Sequence, residues 1–265
     1  LSMQLASLAP GSQSLAIHVA PQTGRVNAFL IDERGRGLQA LGGDTVNSIP
    51  EASKQLTIPA IPQQTGKKSS LPHTLRILVP GEVGTTVKVV ISSTDGTFSP
   101  AGVDGRSIPA GRVIDIPLNV IMPSGKFALH ISAERPIVAS VFTKTQSLGK
   151  SDFLWSTGAP QLEKSTFAVT GLAPFLVFTG EEIKVDLELT TIKGKKQVVH
   201  LNGSAIATYL VSDRVRTITI TKTNSEVYGA ALLTSKSGFG SAPLVKGSAL
   251  TRTSIPRSNI RVLIP

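Results

Sequence analysis

Imidazole is the side chain most often used as a metal ligand or as a base near neutral pH. The chain has four histidines, His18, His73, His130 and His200. None belongs to a His/Asp/Glu group at metal-ligand spacing. His18 and His130 occupy the same place in two similar segments, LAIHV and FALHI. Alternation puts Ile17 and Val19, and likewise Leu129 and Ile131, on the inward face of a strand. Both histidines are therefore expected to face outward on separate modules, at the surface or packed between modules.

Carboxylates are placed no more suggestively. Asp95-Gly96 and Asp104-Gly105 could begin a calcium loop, but two acids fall short of the oxygen set such a loop supplies. Asp-Gly is equally the chemistry of a tight turn. Asp32/Glu33 and Glu181/Glu182 are adjacent pairs on expected loops, not acids fixed across a cleft as in glycosidases. Serine has no G-x-S-x-G elbow. Gly238 and Gly240 flank Phe239 at a strand end, without the lysine–serine pair of a phosphate loop. Asn202-Gly203-Ser204 reads as a turn. The absence of cysteine excludes disulfides, thiolate metal sites and a cysteine nucleophile. No enzyme, metal or cofactor is expected.

Charge is the stronger signal. With 27 basic and 17 acidic residues the chain carries +10, a field that favours anionic partners. The candidate polymer-binding residues are Arg25, Arg34, Arg36, Lys193, Lys195, Lys196, Arg214 and Arg216. Smaller basic groups occur at Lys67/Lys68 and at Arg252, Arg257 and Arg261. Nucleic acid is disfavoured, because stacking sites need exposed aromatics among the cations and the chain has one tryptophan and two tyrosines. Trp155 has two readings, a plug in a core or a platform for a sugar ring.

The elements that must hold these residues are strands. Twenty-four glycines and 17 prolines punctuate short, β-branched segments such as TITIT (Thr217–Thr221). Strands are expected at Ser14–Val19 and Val26–Ile31, with DERGRG (Asp32–Gly37) as an exposed loop and an irregular stretch from Gly42 to Ser53. Further strands are expected at Thr74–Pro80, Thr86–Ser92, Arg106–Ile108, Val113–Leu118, Phe127–Ser132, Ile137–Thr143 and Phe153–Ser156. The plan then repeats at Ile183–Leu189, Gln197–His200, Ile206–Val211, Thr217–Thr221 and Val227–Thr234.

Ala16–Val19, Ala128–Ile131 and Thr217–Ile220 match one another in pattern, and so do TLRILVP (Thr74–Pro80) and NIRVLIP (Asn259–Pro265). Seven or so short strands per 80 to 100 residues is the signature of a β-sandwich. The expected fold is therefore all-β, a tandem array of immunoglobulin-like β-sandwich modules. Residues 1–53 form the second half of a module. Residues 54–160 and 161–247 form complete modules. Residues 248–265 either open a further module or supply strands that complete the N-terminal half-module. No 18-residue apolar run occurs, so membrane attachment would need a segment outside this chain. The chain starts at Leu1 without a leader, as expected of a piece of a longer protein.

From Phe127 to Leu162, and through the following module, the chain resembles a family of uncharacterised β-sandwich repeat domains. These occur in secreted or membrane-anchored proteins of actinobacteria. The resemblance is carried by a P-x-G turn (Pro109, Gly111), an alternating strand (Phe127–Ile131), a P-I-V-A segment (Pro136–Ala139) and a D-F-x-W element (Asp152, Phe153, Trp155). The third module departs from it, with Glu226, Val227 and Tyr228 in place of the proline segment. The resemblance brings no catalytic residue. It implies an extracellular or cell-envelope setting, sometimes beside cell-wall glycan synthesis. The expected function is a non-catalytic structural or assembly module whose partner is an envelope protein or cell-wall polysaccharide. The alternative is an accessory module that binds carbohydrate or an anionic polymer for cell-wall glycan synthesis.

Overall fold

The structure, a computed structural model, describes residues 3–246 apart from 24, 25, 27, 50, 64, 67, 68, 71, 72, 121–124, 148, 149, 170 and 235–237. The described chain is nearly all strand. Its helix α1 (Leu5–Leu8) is a single turn. β1 (Leu30–Arg36) and β2 (Gln39–Val46) form an antiparallel hairpin, closed at Gly37 where φ is +59°. β3 (Ser53–Gln63) precedes two minimal paired strands, β4 (Thr65–Gly66) and β5 (Ser69–Ser70). There follow β6 (His73–Leu78), β7 (Thr85–Ser93), β8 (Gly96–Phe98), β9 (Arg106–Ile108) and β10 (Val113–Leu118). β11 (Gly125–Ser147) and β12 (Lys150–Thr157) complete the first unit.

β11 organises that unit. Its first part pairs with β3 and β7, and its second part with β6 and β12. The register slips between Ser132 and Ile137, where Glu134, Arg135 and Pro136 are exposed. Proline brings no N–H to a ladder, so pairing lapses there and the strand passes from one sheet into the other. One sheet is thus β10–β6–β11–β12, and the other holds β3, β11, β7 and β8, with β9 also on β7. Alternation on β7 sends Val87, Val89 and Ile91 inward, and Lys88 outward. Those side chains meet Ile58, Ile77, Phe127 and Ile137, all fully buried between the sheets.

The second unit uses the same device. It contains β13 (Ser165–Ala168), β14 (Phe175–Thr191), β15 (Lys196–Leu210), β16 (Val215–Thr223), β17 (Tyr228–Thr234) and β18 (Phe239–Pro243). β14 pairs with β17 before a register shift between Gly180 and Ile183, and with β16 after it, while β15 follows it throughout. Gly180 stands at that bend because a Cβ there would lie 2.8 Å from the Glu226 carbonyl oxygen. Phe178, Ile183, Val185, Leu187 and Ile220 fill this second core.

A third apolar cluster joins the units. Ala60 of β3 and Leu154 of β12 meet Val177, Ile206, Ala230 and Leu232 of the second unit, and every one of them is buried. Phe175 and Phe239 pack at its margin, with the Lys126 ammonium 3.6 Å above the Phe175 ring.

Several expected elements differ. Ser14–Val19 is not a strand: Ile17 and Val19 are about half exposed and no strand pairs with them. Alternation alone cannot hold a strand without a partner edge, so the first member of the three-way sequence match has no structural counterpart. The expected strand Val26–Ile31 and loop Asp32–Gly37 give way to β1, and the expected irregular stretch from Gly42 contains most of β2. Phe127–Ser132 and Ile137–Thr143 are one strand, not two. Residues 248–265, the expected segment Asn259–Pro265 among them, lie outside the described residues.

Candidate functional site

Trp155 lies in a closed box. Phe142 of β11 and Trp155 of β12 are cross-strand partners, and Phe153 shares their face. The β1–β2 hairpin covers this face. Trp155 is 4% exposed. Its Nε1–H donates to Asp32 Oδ2 at 2.9 Å, and its backbone N–H donates to Asp44 Oδ2 at 2.7 Å. Arg34 grips Asp32 through Nη2 at 2.8 Å, and its guanidinium stands 4.4 Å over Phe142. Arg76 stands 4.9 Å over the Trp155 ring and holds Asp115 through two 2.8 Å bonds. Its Nη2 also donates to Ser14 Oγ. Trp155 therefore offers no open face to a sugar, and Arg34 is committed to the cover of the box.

Electrostatics follow that packing. Burial pushes the Asp32 carboxyl up, but the hydrogen bonds from Arg34 and Trp155 prevail and hold it below its ordinary value. The Arg76 hydrogen bond likewise holds Asp115 low. Asp44 is pushed up to about 6, first by burial and then by the nearby Asp152 and Asp32 charges, against donors from Trp155 and Thr45. A cleft of about 320 Å³ opens beside it, lined by Asp44 of β2, Asn47 just after that strand, Leu172 and Pro174 of the β13–β14 loop, and Leu233 and Ala242 of β17 and β18. The cleft is mostly apolar. Both oxygens of Asp44 already hold backbone N–H groups, which leaves no nucleophile–base pair among the described residues of the cleft. No group of three or more His, Asp or Glu suited to a metal occurs among the described residues.

The seam carries a polar chain. Thr179 Oγ1 donates to the Ala205 carbonyl at 2.6 Å, so its lone pairs must accept from His130 Nε2 at 3.1 Å. His130 Nδ1 then accepts from Thr57 Oγ1 at 3.1 Å. His130 is thus neutral with its proton on Nε2, and burial lowers its pKa accordingly. It does face away from its own core, but into the neighbouring unit instead of solvent. Asp152 Oδ2 accepts from Phe239 N–H, and Asn47 donates to the Ser241 carbonyl, fastening β12 and the segment that follows β2 to β18. His73, inside the first core, sits between Thr143 and Gln63 with its pKa lowered to about 4 by burial.

The other candidate cations divide. Arg25 lies outside the described residues. Arg36 is exposed at the hairpin end. Lys193, Lys195, Lys196, Arg214 and Arg216 are brought together at one end of the second unit. There Ile192 N–H donates to the Arg214 carbonyl and Val169 N–H to the Arg216 carbonyl. Lys196 pairs with Glu188 at 2.9 Å, and His200 with Asp186 at 2.7 Å. Asp104 Oδ1 accepts from Val89 N–H, the work of a turn residue.

Sequence reasoning did not find the seam or the cover over Trp155. The signal for the cover was faint: Asp32 and Asp44 are apart in sequence and become neighbours only through the β1–β2 register.

The model of one family of unknown function, DUF5719, matches residues 1–205, so the chain belongs to that family. No curated protein and no solved structure matches it.

Proposed function

For this DUF5719 protein we propose a non-catalytic structural or assembly role in the cell envelope or extracellular space. Tandem immunoglobulin-like sandwich units would act as one stiff spacer that presents its surface to an envelope protein. The observation that carries this reading is the seam, with its buried apolar cluster, the His130 relay and the Asp152–Phe239 tie. A linker between free modules would have needed none of them. The candidate cleft supports the same reading, because Asp44, its one carboxyl among the described residues, is engaged in holding β12 and the hairpin.

The chain lacks cysteine, so a Lys88→Cys/Lys222→Cys pair can carry two spin labels on exposed positions of the two units. Electron–electron distance measurement is expected to give one narrow distribution. A broad one would sink the spacer reading. A second reading, an accessory for carbohydrate or an anionic polymer, is favoured by the gathered cations at the end of the second unit. Trp155 gives it no platform. Salt-resistant co-sedimentation with cell-wall polysaccharide would promote it, and binding abolished by salt would leave only diffuse charge.

A further inference from the structure

We propose that the loop end of the second unit docks peripherally on an anionic lipid surface. Three loops meet there. Val169 N–H donates to the Arg216 carbonyl at 2.8 Å, Ile192 N–H to Arg214 at 2.9 Å, and Val211 N–H to Pro174 at 2.9 Å. Gly171 sits within this junction, where a Cβ would lie 3.1 Å from both the Arg216 guanidinium and the Asp213 carbonyl oxygen.

Two large apolar side chains stand out from the junction, Ile192 at 66% exposure and Leu172 at 63%. Ile192 is held on display. Its turn is closed by Thr191 N–H to Lys195 O and Gly194 N–H to Thr191 O, both 2.9 Å, with Gly194 at φ +77°. Around it stand Lys193, Lys195, Lys196 and Arg214, all exposed, with Arg216 half-buried behind them. The acids at this end are fewer: Glu188, which takes Lys196, Asp213, next to Arg214, and Asp44, which lines the cleft that Leu172 borders. Positive charge remains in excess.

Charge alone fits any polyanion. The apolar pair decides between them, because a polysaccharide or nucleic acid has no use for an exposed isoleucine and leucine. A lipid surface takes both features at once, with phosphates for the lysines and hydrocarbon just beneath for the apolar tips. Composition assigns membrane contact only to a segment outside this chain, whereas this end supplies a contact of its own. The contact proposed is peripheral, made by two apolar tips and the cations around them; no described helix is long and apolar enough to cross a bilayer. The inference is independent of the stiff seam.

The test is flotation of the whole chain with vesicles of phosphatidylcholine alone or mixed with phosphatidylglycerol, at low salt. Binding is expected only to the anionic vesicles. Ile192→Ser/Leu172→Ser and Lys193→Gln/Lys195→Gln are each expected to weaken it about tenfold or more. Lys88→Gln/Lys222→Gln, which removes the same charge elsewhere, should leave it unchanged. An environment-sensitive dye on Ile192→Cys should shift to the blue with anionic vesicles, and the same dye on Lys222→Cys should not. Failure to bind overturns the proposal. So does binding that ignores the loss of Ile192 and Leu172, the behaviour expected of a site for a soluble acidic polymer.

Discussion

His130 and Thr179 sit on opposite sides of the seam, and their 3.1 Å hydrogen bond has only one direction open to it. The Thr179 proton is spent on the Ala205 carbonyl, and Ala205 itself holds a left-handed φ of +62°. The imidazole must donate. That single constraint orients Thr57, His130 and Thr179 together, and makes the contact between units one of defined geometry as well as buried area.

Thr179→Val is therefore expected to cost about 1–3 kcal/mol, since it leaves the His130 Nε2–H without its acceptor and takes the Thr179 donor from the Ala205 carbonyl. Thr57→Val removes only a donor to Nδ1 and should cost less. Urea denaturation checks both. The reverse order would mean that the relay does not run in the direction assigned.

Acid response is expected to hide two opposing contributions. His73 is neutral in the fold with a pKa near 4, below its ordinary 6.5. Between those values the unfolded chain binds more protons, so stability falls as pH drops through 6.5 towards 4, by about 3 kcal/mol in all. His130 acts in the same direction. Asp44 is raised from 3.8 to about 6, so the folded chain holds more protons across that window and stability rises as pH drops through it. Wild type should show a shallow profile between pH 4 and 6. Asp44→Asn should steepen the loss in acid, and His73→Leu should flatten or reverse it. The slopes of stability against pH carry the test, since both substitutions also alter hydrogen bonds.

Period-2 alternation was enough to place β6, β7, β10 and β16 close to their limits, because each has an apolar face and a partner edge, β10 on one side and the other three on both. It misplaced Ser14–Val19, where the same alternation exists but no edge receives it. It also split β11 at Pro136, because sequence cannot tell a proline that ends a strand from one that carries it into the next sheet. The turn at Asp95-Gly96 was legible from local chemistry. The Trp155 box was not, since Asp32, Arg76 and Asp115 come from three separate strands and only tertiary packing puts them around one ring.

Trp155 is the single tryptophan, so its fluorescence reports on the box alone. Wild type should emit in the blue and resist acrylamide. Asp32→Ala removes the acceptor for Nε1–H and the anchor of Arg34, and should loosen the hairpin without unfolding the unit. The expected result is a red shift and faster quenching, with the near-ultraviolet signature of the rest retained. Trp155→Ala, which empties the space among Phe142, Phe153 and Val46, should cost about 3–5 kcal/mol. Unchanged quenching in Asp32→Ala would mean that the β1–β2 hairpin is not what seals the ring.

Gly42 tests how the hairpin reaches the seam. Its φ is +126°, and a Cβ there would fall 2.5 Å from Asp152 Oδ1 and 2.9 Å from the Asp152 Cα. Gly42→Ala must therefore push β2 and β12 apart, beyond the roughly 1–3 kcal/mol that an unfavourable backbone conformation alone would cost. Asp152 in turn holds Phe239 N–H of β18, so the displacement should be felt across the seam. Faster hydrogen exchange is expected at Phe239 as well as at Trp155, whose N–H depends on Asp44 in the same strand. Trimming the carboxylate in Gly42→Ala/Asp152→Ala should recover little, because the close contact with the Asp152 Cα and the backbone conformation both remain. Full recovery in the double variant would place the conflict in the side chain alone, and the hairpin would then be fastened to β12 more loosely than the packing at Gly42 requires.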